Sequence, residues 1–293
     1  MLIPIVLLHH NEPMALLQSI ETIVERTRHS YRLFVVDNAS PVTEENETAL
    51  RIASDRYSAI VIRNTKNNWV YGFNLALQHK LWPDSGLYVF SDADIIVPKC
   101  KNGTTCWLTY LVEQMEQHRC IGKFGLSLDL SNIEQKPGLK ATYVREQLYM
   151  RGKRIGTNII APVDTTLAIY RRDLFITRFQ FTIGHQALIK SQYYICRTSS
   201  EWRSVHLGWD CYPGAERHYS ATRYWQKALA MCRAGAYMDP SIMAQFTFWR
   251  RNVLRGIRSG VRLIFGLRMV ILMAVYIATH FPQNLNEIQA ECR

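Results

Sequence analysis

Two aspartates, Asp92 and Asp94, stand two residues apart just after a hydrophobic run. Carboxylates at this spacing can converge on one hard cation, because Mg²⁺ and Mn²⁺ prefer oxygen ligands and leave coordination positions open for a diphosphate. A cation held there would offset the negative charge that builds up on a departing diphosphate. The same pair occurs in many solvated turns, so its meaning depends on the element that precedes it.

The neighbouring sequence does not decide the roles of three further polar residues, Asp164, Arg197 and His206. Asp164 comes before an apolar run at residues 167–170 and is followed by two threonines, so it is either a base or the cap of a turn or helix. His206 lies downstream of Arg197, and it is a metal ligand, a base or a structural histidine.

The first hundred residues alternate apolar runs with segments of helical periodicity. The predicted strands are residues 3–8, 32–36, 59–63 and 87–90, and the predicted helices are residues 14–27, 43–57 and 71–80. Such alternation indicates an α/β fold with a mainly parallel sheet, whose ligands bind beyond the carboxyl ends of the strands. The polar residues at those ends are His9, His10, Asn11, Glu12, Asp37, Asn38, Ser40, Asn64, Ser91, Asp92 and Asp94.

The rest of the chain divides into a less regular middle and a distinct tail. We predict a helix at residues 107–118, strands at 122–130 and 168–170, a long polar connection at 131–160 and weak order from 209 to 240. The domain prediction is a catalytic domain at 1–240, with a nucleotide-binding half at 1–98 and an acceptor half at 99–240. Residues 241–293 form a helical tail.

The tail carries much of the positive charge. The formal net charge is +11, and no acid occurs between Asp239 and Glu287, a span that contains Arg250, Arg251, Arg255, Arg258, Arg262 and Arg268. A helical wheel separates arginines from apolar residues, and the uninterrupted apolar stretch at 269–278 falls short of the roughly 20 residues that a spanning helix needs. The pattern favours an amphipathic helix on an anionic membrane surface. Two alternatives are a helix packed on the protein's own core and a single C-terminal span.

The compartment is predicted from the cysteines and the N-terminus. Seven scattered cysteines form no CxxC motif, so we expect them to be reduced, and the strand-like run at residues 3–8 leads us to expect no signal peptide. With the basic tail, this predicts a peripheral or monotopic protein on the cytoplasmic face of the inner (plasma) membrane.

Taken together, these motifs resemble bacterial family 2 glycosyltransferases, which have the GT-A fold and use nucleotide-sugar donors. The resemblance runs from residue 3 to about residue 209 and rests on the order and spacing of several segments. Those segments are residues 4–11, 35–40, 67–74, 91–94, 121–128, 161–166 and 206–209.

The resemblance implies roles for these residues. Asp92, Asp94 and His206 would hold a divalent metal, Mn²⁺ or Mg²⁺, and Asp164 would be the base that deprotonates the acceptor hydroxyl. The family's usual Glu-Asp pair is missing at Asp164, so Glu201 and Asp210 remain rival bases. The predicted contacts to the nucleotide and sugar are His10, Asn11, Asp37, Asn38, Asn68, Gly72, Asn74, Asp92 and Arg197.

The resulting expectation is an inverting, metal-dependent glycosyltransferase with a Rossmann-like nucleotide-diphospho-sugar fold and a membrane-associated helical extension. It would move a sugar from a UDP- or GDP-sugar to a glycan or lipid-linked glycan in surface polysaccharide assembly. The alternatives are a nucleotidyltransferase on a similar sheet and a non-catalytic membrane-binding module. The first usually has a Gly-rich phosphate loop, which residues 9–13 lack, and no nucleic-acid-binding motif is present.

Overall fold

A computed structural model describes residues 1–280 except 102–104, 165, 177–180, 183–192, 212–220, 234–237 and 239. The chain divides into two compact units. One contains the described residues of Met1–Asp129 and Tyr149–His206, and the other contains those of Leu130–Leu148 and Leu207–Gln283.

The first unit is built around a mixed sheet. In chain order the strands are β1 Ile3–His9, β2 Tyr31–Asp37, β3 Ile60–Arg63, β4 Leu87–Asp92, β5 Ile95–Ile96, β6 Ile121–Gly125, β7 Ser127–Leu128, β8 Arg154–Ile155, β9 Asn158–Ile160, β10 Ala168–Arg171, β11 Phe175–Ile176, β12 Phe181–Thr182, β13 Tyr194–Arg197 and β14 Arg203–His206. Nine of these described strands form the main sheet, in the order β3-β2-β1-β4-β10-β6-β13-β9-β8. Strands β3, β2, β1 and β4 are mutually parallel, and β10 is antiparallel to both its neighbours.

The helices follow the strands in alternation over the first half of the chain. Their bounds are α1 Pro13–Arg26, α2 Glu44–Asp55, α3 Asn74–Leu77, α4 Trp107–Gln117, α5 Lys140–Tyr149, α6 Ala221–Arg233, α7 Pro240–Ala244 and α8 Phe248–His280. Proline occupies the first turn of α1, where its missing N–H costs nothing, and Thr43 caps α2 by accepting a hydrogen bond from the Asn46 amide.

The two faces of the sheet are buried by different residues. On one face, Ile5, Leu7 and Val35 join the buried side chains of α1, α2 and α4 in a single hydrophobic core. On the other face, Phe90 packs among aromatic rings. The centroids of the Phe90 and Tyr170 rings are 5.4 Å apart. Burial on both faces explains why the strands read as continuous apolar runs in the sequence.

A second, three-stranded sheet connects distant parts of the first unit. Its order is β5-β14-β7, with β14 antiparallel to β5 and parallel to β7. The turn before β14 is fixed by Thr198, whose hydroxyl donates to the Trp202 carbonyl and accepts from the Ser127 amide at 2.9 Å. This small sheet sets the position of the end of β14.

The second unit contains the long helix α8, which packs along α6. The contact buries Tyr224, Ala228 and Cys232 of α6 against Leu254 of α8, and Phe246 joins them just before α8 begins. No helix among the described residues is both long enough and apolar enough to cross a membrane.

The α/β prediction with a mainly parallel sheet is confirmed, and several elements differ in detail. The helix predicted at 71–80 is a 3₁₀ turn, Trp69–Phe73, followed by the short α3. The polar connection at 131–160 contains α5 and the β8–β9 hairpin, and α6 lies where weak order was expected. Among the described cysteines, Cys100, Cys106, Cys196 and Cys232 are free, whereas Cys120 is disulfide-bonded, so the expectation of reduced cysteines is wrong there.

Candidate active site

The parallel strands bring their polar ends together at one edge of the sheet. In the register, His9 of β1 pairs with Asp37 of β2, and Leu8 of β1 pairs with Asp92 of β4. Neighbouring strands lie roughly 4.8 Å apart, so Asp37 and Asp92 flank the end of β1 at about 10 Å from each other.

Three possible metal ligands, Asp92, Asp94 and His206, converge beyond β4. One ligand atom from each lies within 4.8 Å of the other two. His206 comes from far along the chain because β14 pairs with β5, which places His206 opposite Ile95, the residue after Asp94. The His206 Nδ1 and Asp94 Oδ2 atoms are 3.7 Å apart, and both side chains are largely buried.

The cluster suits a divalent cation in both geometry and chemistry. Asp94 Oδ1 is buried and accepts no hydrogen bond from the described residues. A buried carboxylate oxygen without a partner is costly, and a bound cation would satisfy it. Two carboxylates suit either Mn²⁺ or Mg²⁺, and the imidazole favours Mn²⁺ over the harder Mg²⁺, so the residues present fit the expected divalent metal.

A network of asparagines lies beside this cluster at the end of β2. Asn38 Nδ2 donates to Asn67 Oδ1 at 2.9 Å and to the Trp69 carbonyl at 3.0 Å. Asn38 Oδ1 accepts from Asn64 Nδ2 at 2.8 Å and from the Asn68 amide at 3.0 Å. These four bonds use both donors and both acceptor positions of the amide, so Asn38 organises the loop at residues 64–69.

The segment that follows this loop packs tightly against Asn38. A Cβ atom on Gly72 would lie 2.8 Å from Asn38 Oδ1 and 2.8 Å from Leu8 Cδ1, so only glycine fits there without displacement. Trp69 has a φ of 54°, a left-handed conformation rare for a bulky residue. Asn74 is buried at the start of α3. The sequence-predicted residues Asn68, Gly72 and Asn74 thus belong to one rigid segment.

The residues after β1 face the same loops. The His10 Nδ1 atom lies 3.1 Å from the Asn38 carbonyl oxygen, and the Asn11 amide donates to Ser40 Oγ at 2.8 Å. Asp37 is buried and accepts from the Ser40 amide at 3.1 Å. Burial lowers the pKa of His9 to about 4, and the nearby Asp37 carboxylate opposes that shift. His9 is therefore neutral near pH 7.

Asp164 lies at the end of a loop that two buried cations hold in place. Its carbonyl accepts from Lys123 Nζ at 3.1 Å, while its side chain is exposed. Arg197, a sequence-predicted contact to the nucleotide, is buried on β13 and donates from Nε to the Pro162 carbonyl. The structure thus places Arg197 beside the Asp164 loop.

The rival bases occupy different surroundings. Glu201 Oε2 accepts a hydrogen bond from Lys101 Nζ at 2.8 Å, which lowers the pKa of the exposed Glu201 carboxyl. A lowered pKa makes the Glu201 carboxylate a weaker base. The side chain of Asp210 lies outside the described residues.

Two features of this edge carried no assigned role from the sequence. Lys123 belongs to the segment at 121–128, and its signal in the sequence is a lysine inside an apolar strand, where a charge needs a specific partner. Asn64 and Asn67 complete the asparagine network, but short polar residues after a strand also occur in ordinary loops.

Comparisons with known proteins give the family of the chain and its fold. The model of a family described as glycosyl transferase family 2 matches residues 5–179. A mannosyltransferase from Pyrobaculum calidifontis, solved with GDP-Man and Mn²⁺, superposes with a TM-score of 0.50 at 15% identity, over 99% of this chain and 84% of that one. GalNAc-T7, solved with UDP, GalNAc and Mn²⁺, gives a TM-score of 0.50 at 13% identity, over 87% of this chain and 54% of that one, so the chain spans about half its length. No curated protein matches the chain in sequence.

Proposed function

Because this chain belongs to glycosyl transferase family 2 and is a glycosyltransferase with the GT-A fold, we propose that it moves a sugar from a nucleoside-diphosphate donor to a hydroxyl group. The observation that carries this proposal is the convergence of Asp92, Asp94 and His206 at the carboxyl edge of the parallel strands. Ligands of α/β sheets bind at this edge, and a diphosphate needs a compensating positive charge there.

In this proposal Asp92, Asp94 and His206 hold one divalent cation. When bound, the cation supplies positive charge that stabilises the diphosphate of the sugar donor. Asp94 contributes an oxygen that has no other partner among the described residues, which makes it the ligand on which the site most depends. The metal is Mn²⁺ or Mg²⁺, and both neighbours described above were solved with Mn²⁺.

Asp164 is the proposed base. Its carboxylate takes the proton from the acceptor hydroxyl as the acceptor oxygen bonds to the anomeric carbon. The bond from that carbon to the diphosphate oxygen breaks, and the nucleoside diphosphate leaves with its electrons. A direct displacement of this kind inverts the anomeric configuration.

The donor is proposed to bind across the asparagine network and the end of β2. Asp37, His10 and Asn11 would border the nucleoside, while the residues from Asn68 to Asn74 would border the sugar and diphosphate. The solved neighbours contain GDP-Man or UDP, which supports a UDP- or GDP-sugar as the donor.

The test is release of nucleoside diphosphate from a panel of UDP- and GDP-sugars, measured with Mn²⁺, with Mg²⁺ and with a chelator. We expect turnover of at least one donor, loss with the chelator and recovery on adding metal. Asp84→Asn, which alters an exposed aspartate in the loop before β4, is the matched control for Asp94→Asn. Turnover that is equal with chelator and with metal would remove the metal from the proposal.

We also propose that α8 attaches the protein to an anionic membrane surface. The exposed apolar side chains Trp249, Val253, Ile257, Ile264, Leu267 and Ile271 follow one another at intervals of three, four or seven residues and so form a stripe along the helix. Leu254, Leu272 and Tyr276 are buried, so the stripe lies away from the packed side. Arg250, Arg255 and Arg262 are exposed on the same helix. An exposed apolar stripe with arginines and no acids suits the interface of an anionic bilayer.

Vesicle flotation tests this attachment. Full-length protein should float with vesicles that contain anionic lipid, less with zwitterionic vesicles, and less at high salt. Trp249→Glu combined with Ile264→Glu should abolish flotation, whereas Arg255→Lys with Arg262→Lys keeps the charge and should preserve it. Equal flotation of the glutamate variant and the unaltered protein would contradict attachment through α8.

The membrane proposal suggests the acceptor. A transferase held at a membrane surface would meet a glycan or a lipid-linked glycan, as in the assembly of surface polysaccharide. Transfer assayed with water-soluble and lipid-linked acceptors, in the presence of the same vesicles, distinguishes the two classes.

A further inference from the structure

The loop that ends at Asp164 is fixed by two buried cations from neighbouring strands. Lys123 Nζ, on β6, donates to the Val163 carbonyl at 2.7 Å and to the Asp164 carbonyl at 3.1 Å. Arg197 Nε, on β13, donates to the Pro162 carbonyl. Three consecutive carbonyl oxygens of one loop are therefore held by two side chains that are at most 3% exposed.

Packing of the same loop leaves it little freedom. The Ala161 amide donates to the Ile195 carbonyl at 3.1 Å, which joins the start of the loop to β13. Val163 lies over Gly125 so closely that a Cβ atom on Gly125 would clash with Val163 Cγ1. Glycine at this position of β6 is thus what allows the loop to approach the strand.

Lys123 interacts electrostatically with the proposed base, Asp164, and with the proposed metal ligand Asp92. The carboxylates of Asp164 and Asp92 both act on Lys123, and its Nζ lies 5.0 Å from the centroid of the Tyr170 ring. Burial lowers the pKa of Lys123 to about 7, the two carboxylates oppose this shift, and Arg197 adds to it. Burying an amine that deeply is costly, so a neutral side chain would serve a purely structural role more cheaply.

From these contacts we infer that Lys123, with Arg197, is a positioning residue that holds the Asp164 carboxylate at a fixed place relative to the Asp92 end of the donor site. The inference rests on the proposed function, because it acts through Asp164 as the base. Lys123 itself touches neither the donor nor the acceptor in this account. Its effect on turnover passes through the loop that carries Asp164.

A double-mutant cycle of Lys123→Met and Asp164→Asn tests this, with single-turnover transfer and donor affinity measured for each variant. Methionine keeps an unbranched side chain, one heavy atom shorter than that of lysine, and removes the hydrogen bonds. We expect Lys123→Met to slow transfer roughly 10-fold to 100-fold with little change in donor affinity, as expected when a base is misplaced. In the Asp164→Asn background the same change should slow transfer less than about 2-fold, because residues that act as a unit are not additive. Lys80→Met, which removes an exposed lysine, is the matched control and should change neither value.

Each outcome has a distinct meaning. An equal loss in both backgrounds would mean that Lys123 supports the fold and does not act through Asp164, and would overturn the inference. If Asp164→Asn transfers as fast as the unaltered protein, the proposed base is wrong, and the inference fails with it. If Lys123→Met does not fold, Gly125→Ala takes its place, since the added Cβ must displace Val163 and the loop. Gly125→Ala should slow transfer in the unaltered background and much less in the Asp164→Asn background. An equal slowing in both backgrounds would overturn the inference.

Discussion

The asparagine network and the carboxylate cluster lie at the same edge of the sheet but differ in how their polar groups are satisfied. In the network, the amide of Asn38 makes four hydrogen bonds to protein groups. In the cluster, Asp94 Oδ1 is buried without a hydrogen bond from the described residues, and two carboxylates lie within reach of one cation.

The difference indicates that the network is fully formed before a ligand binds, whereas the cluster is completed by its ligand. The network is complete by itself, so it gives the loop at residues 64–69 a fixed shape before any nucleotide arrives. The cluster is incomplete, because clustered carboxylates repel one another until a cation joins them. Substitutions in the network should therefore act mainly on stability, and substitutions in the cluster mainly on turnover.

The largest expected effect is in the cluster. Asp94→Asn should lower the rate of metal-dependent transfer by roughly 1,000-fold, because loss of a charged ligand removes several kcal/mol of stabilisation from the departing diphosphate. Without metal, the free energy of unfolding should stay the same or rise, since the substitution removes a like charge from a buried pair. Steady-state turnover and urea unfolding measure the two quantities.

A large loss of stability in Asp94→Asn would show that the cluster is a structural element, and the contrast with the network would disappear. The Asp84→Asn variant controls for loss of a negative charge as such. Added Mn²⁺ should raise the melting temperature of the unaltered protein and not that of Asp94→Asn, because only a state that binds the ion is stabilised by it.

The next largest effect is a dependence of the free energy of unfolding on pH, and it arises from His9 at the end of β1. Burial lowers the pKa of His9 to about 4 in the folded protein, against 6.5 for an ordinary histidine. The unfolded chain thus binds more protons between those values, so stability is present in full above about pH 6.5 and is lost as the pH falls towards 4. The loss amounts to as much as about 3 kcal/mol, at 1.36 kcal/mol for each pH unit.

His9→Asn should make the free energy of unfolding depend less on pH. His29→Asn, which alters a histidine that is hydrogen-bonded to the Met1 carbonyl, should leave the dependence unchanged. Urea unfolding at pH 7, 5.5 and 4.5 gives the slopes. An unchanged slope in His9→Asn would mean that the acid sensitivity arises from other groups.

A smaller effect is expected at the centre of the network. Asn38→Ala should lower the free energy of unfolding by about 2 kcal/mol, because it leaves the buried Asn64 side chain and the Asn68 amide without their acceptor. Donor affinity should fall as the loop loses its fixed shape, while the rate at saturating donor should change little. The reverse pattern, with lost turnover and intact stability, would make Asn38 a direct participant in the chemistry.

Much of this arrangement follows from sequence because it depends on local patterns. The strands that end at His9, Asp37 and Asp92 are apolar runs buried on both faces, and parallel pairing then brings their ends to one edge. The placement of His206 required more, since it depends on the pairing of β14 with β5, two short strands with little signal of their own. The family resemblance supplied that residue where periodicity did not.

What the sequence missed depends on packing between distant segments. The role of Lys123 requires knowing that β6 lies beneath the loop at residues 161–164, which no spacing within either segment reveals. The helix expected at residues 71–80 begins instead as a 3₁₀ turn at Trp69, where Asn67 and Asn38 bind the backbone. Side-chain bonds to the backbone compete with helix formation there, and helical periodicity alone does not report them.

The smallest expected effect tests whether the network behaves as one unit. Gly72→Ala should lower the free energy of unfolding by about 1 kcal/mol, since the new Cβ would lie 2.8 Å from both Asn38 Oδ1 and Leu8 Cδ1 and both side chains must shift to admit it. Because one of the two clashes is with Asn38, the cost should be smaller in the Asn38→Ala background. Urea unfolding of both single variants and the double variant gives the coupling. Strict additivity would mean that the crowding at Gly72 comes from Leu8 alone, and that the loop tolerates displacement of the Asn38 amide.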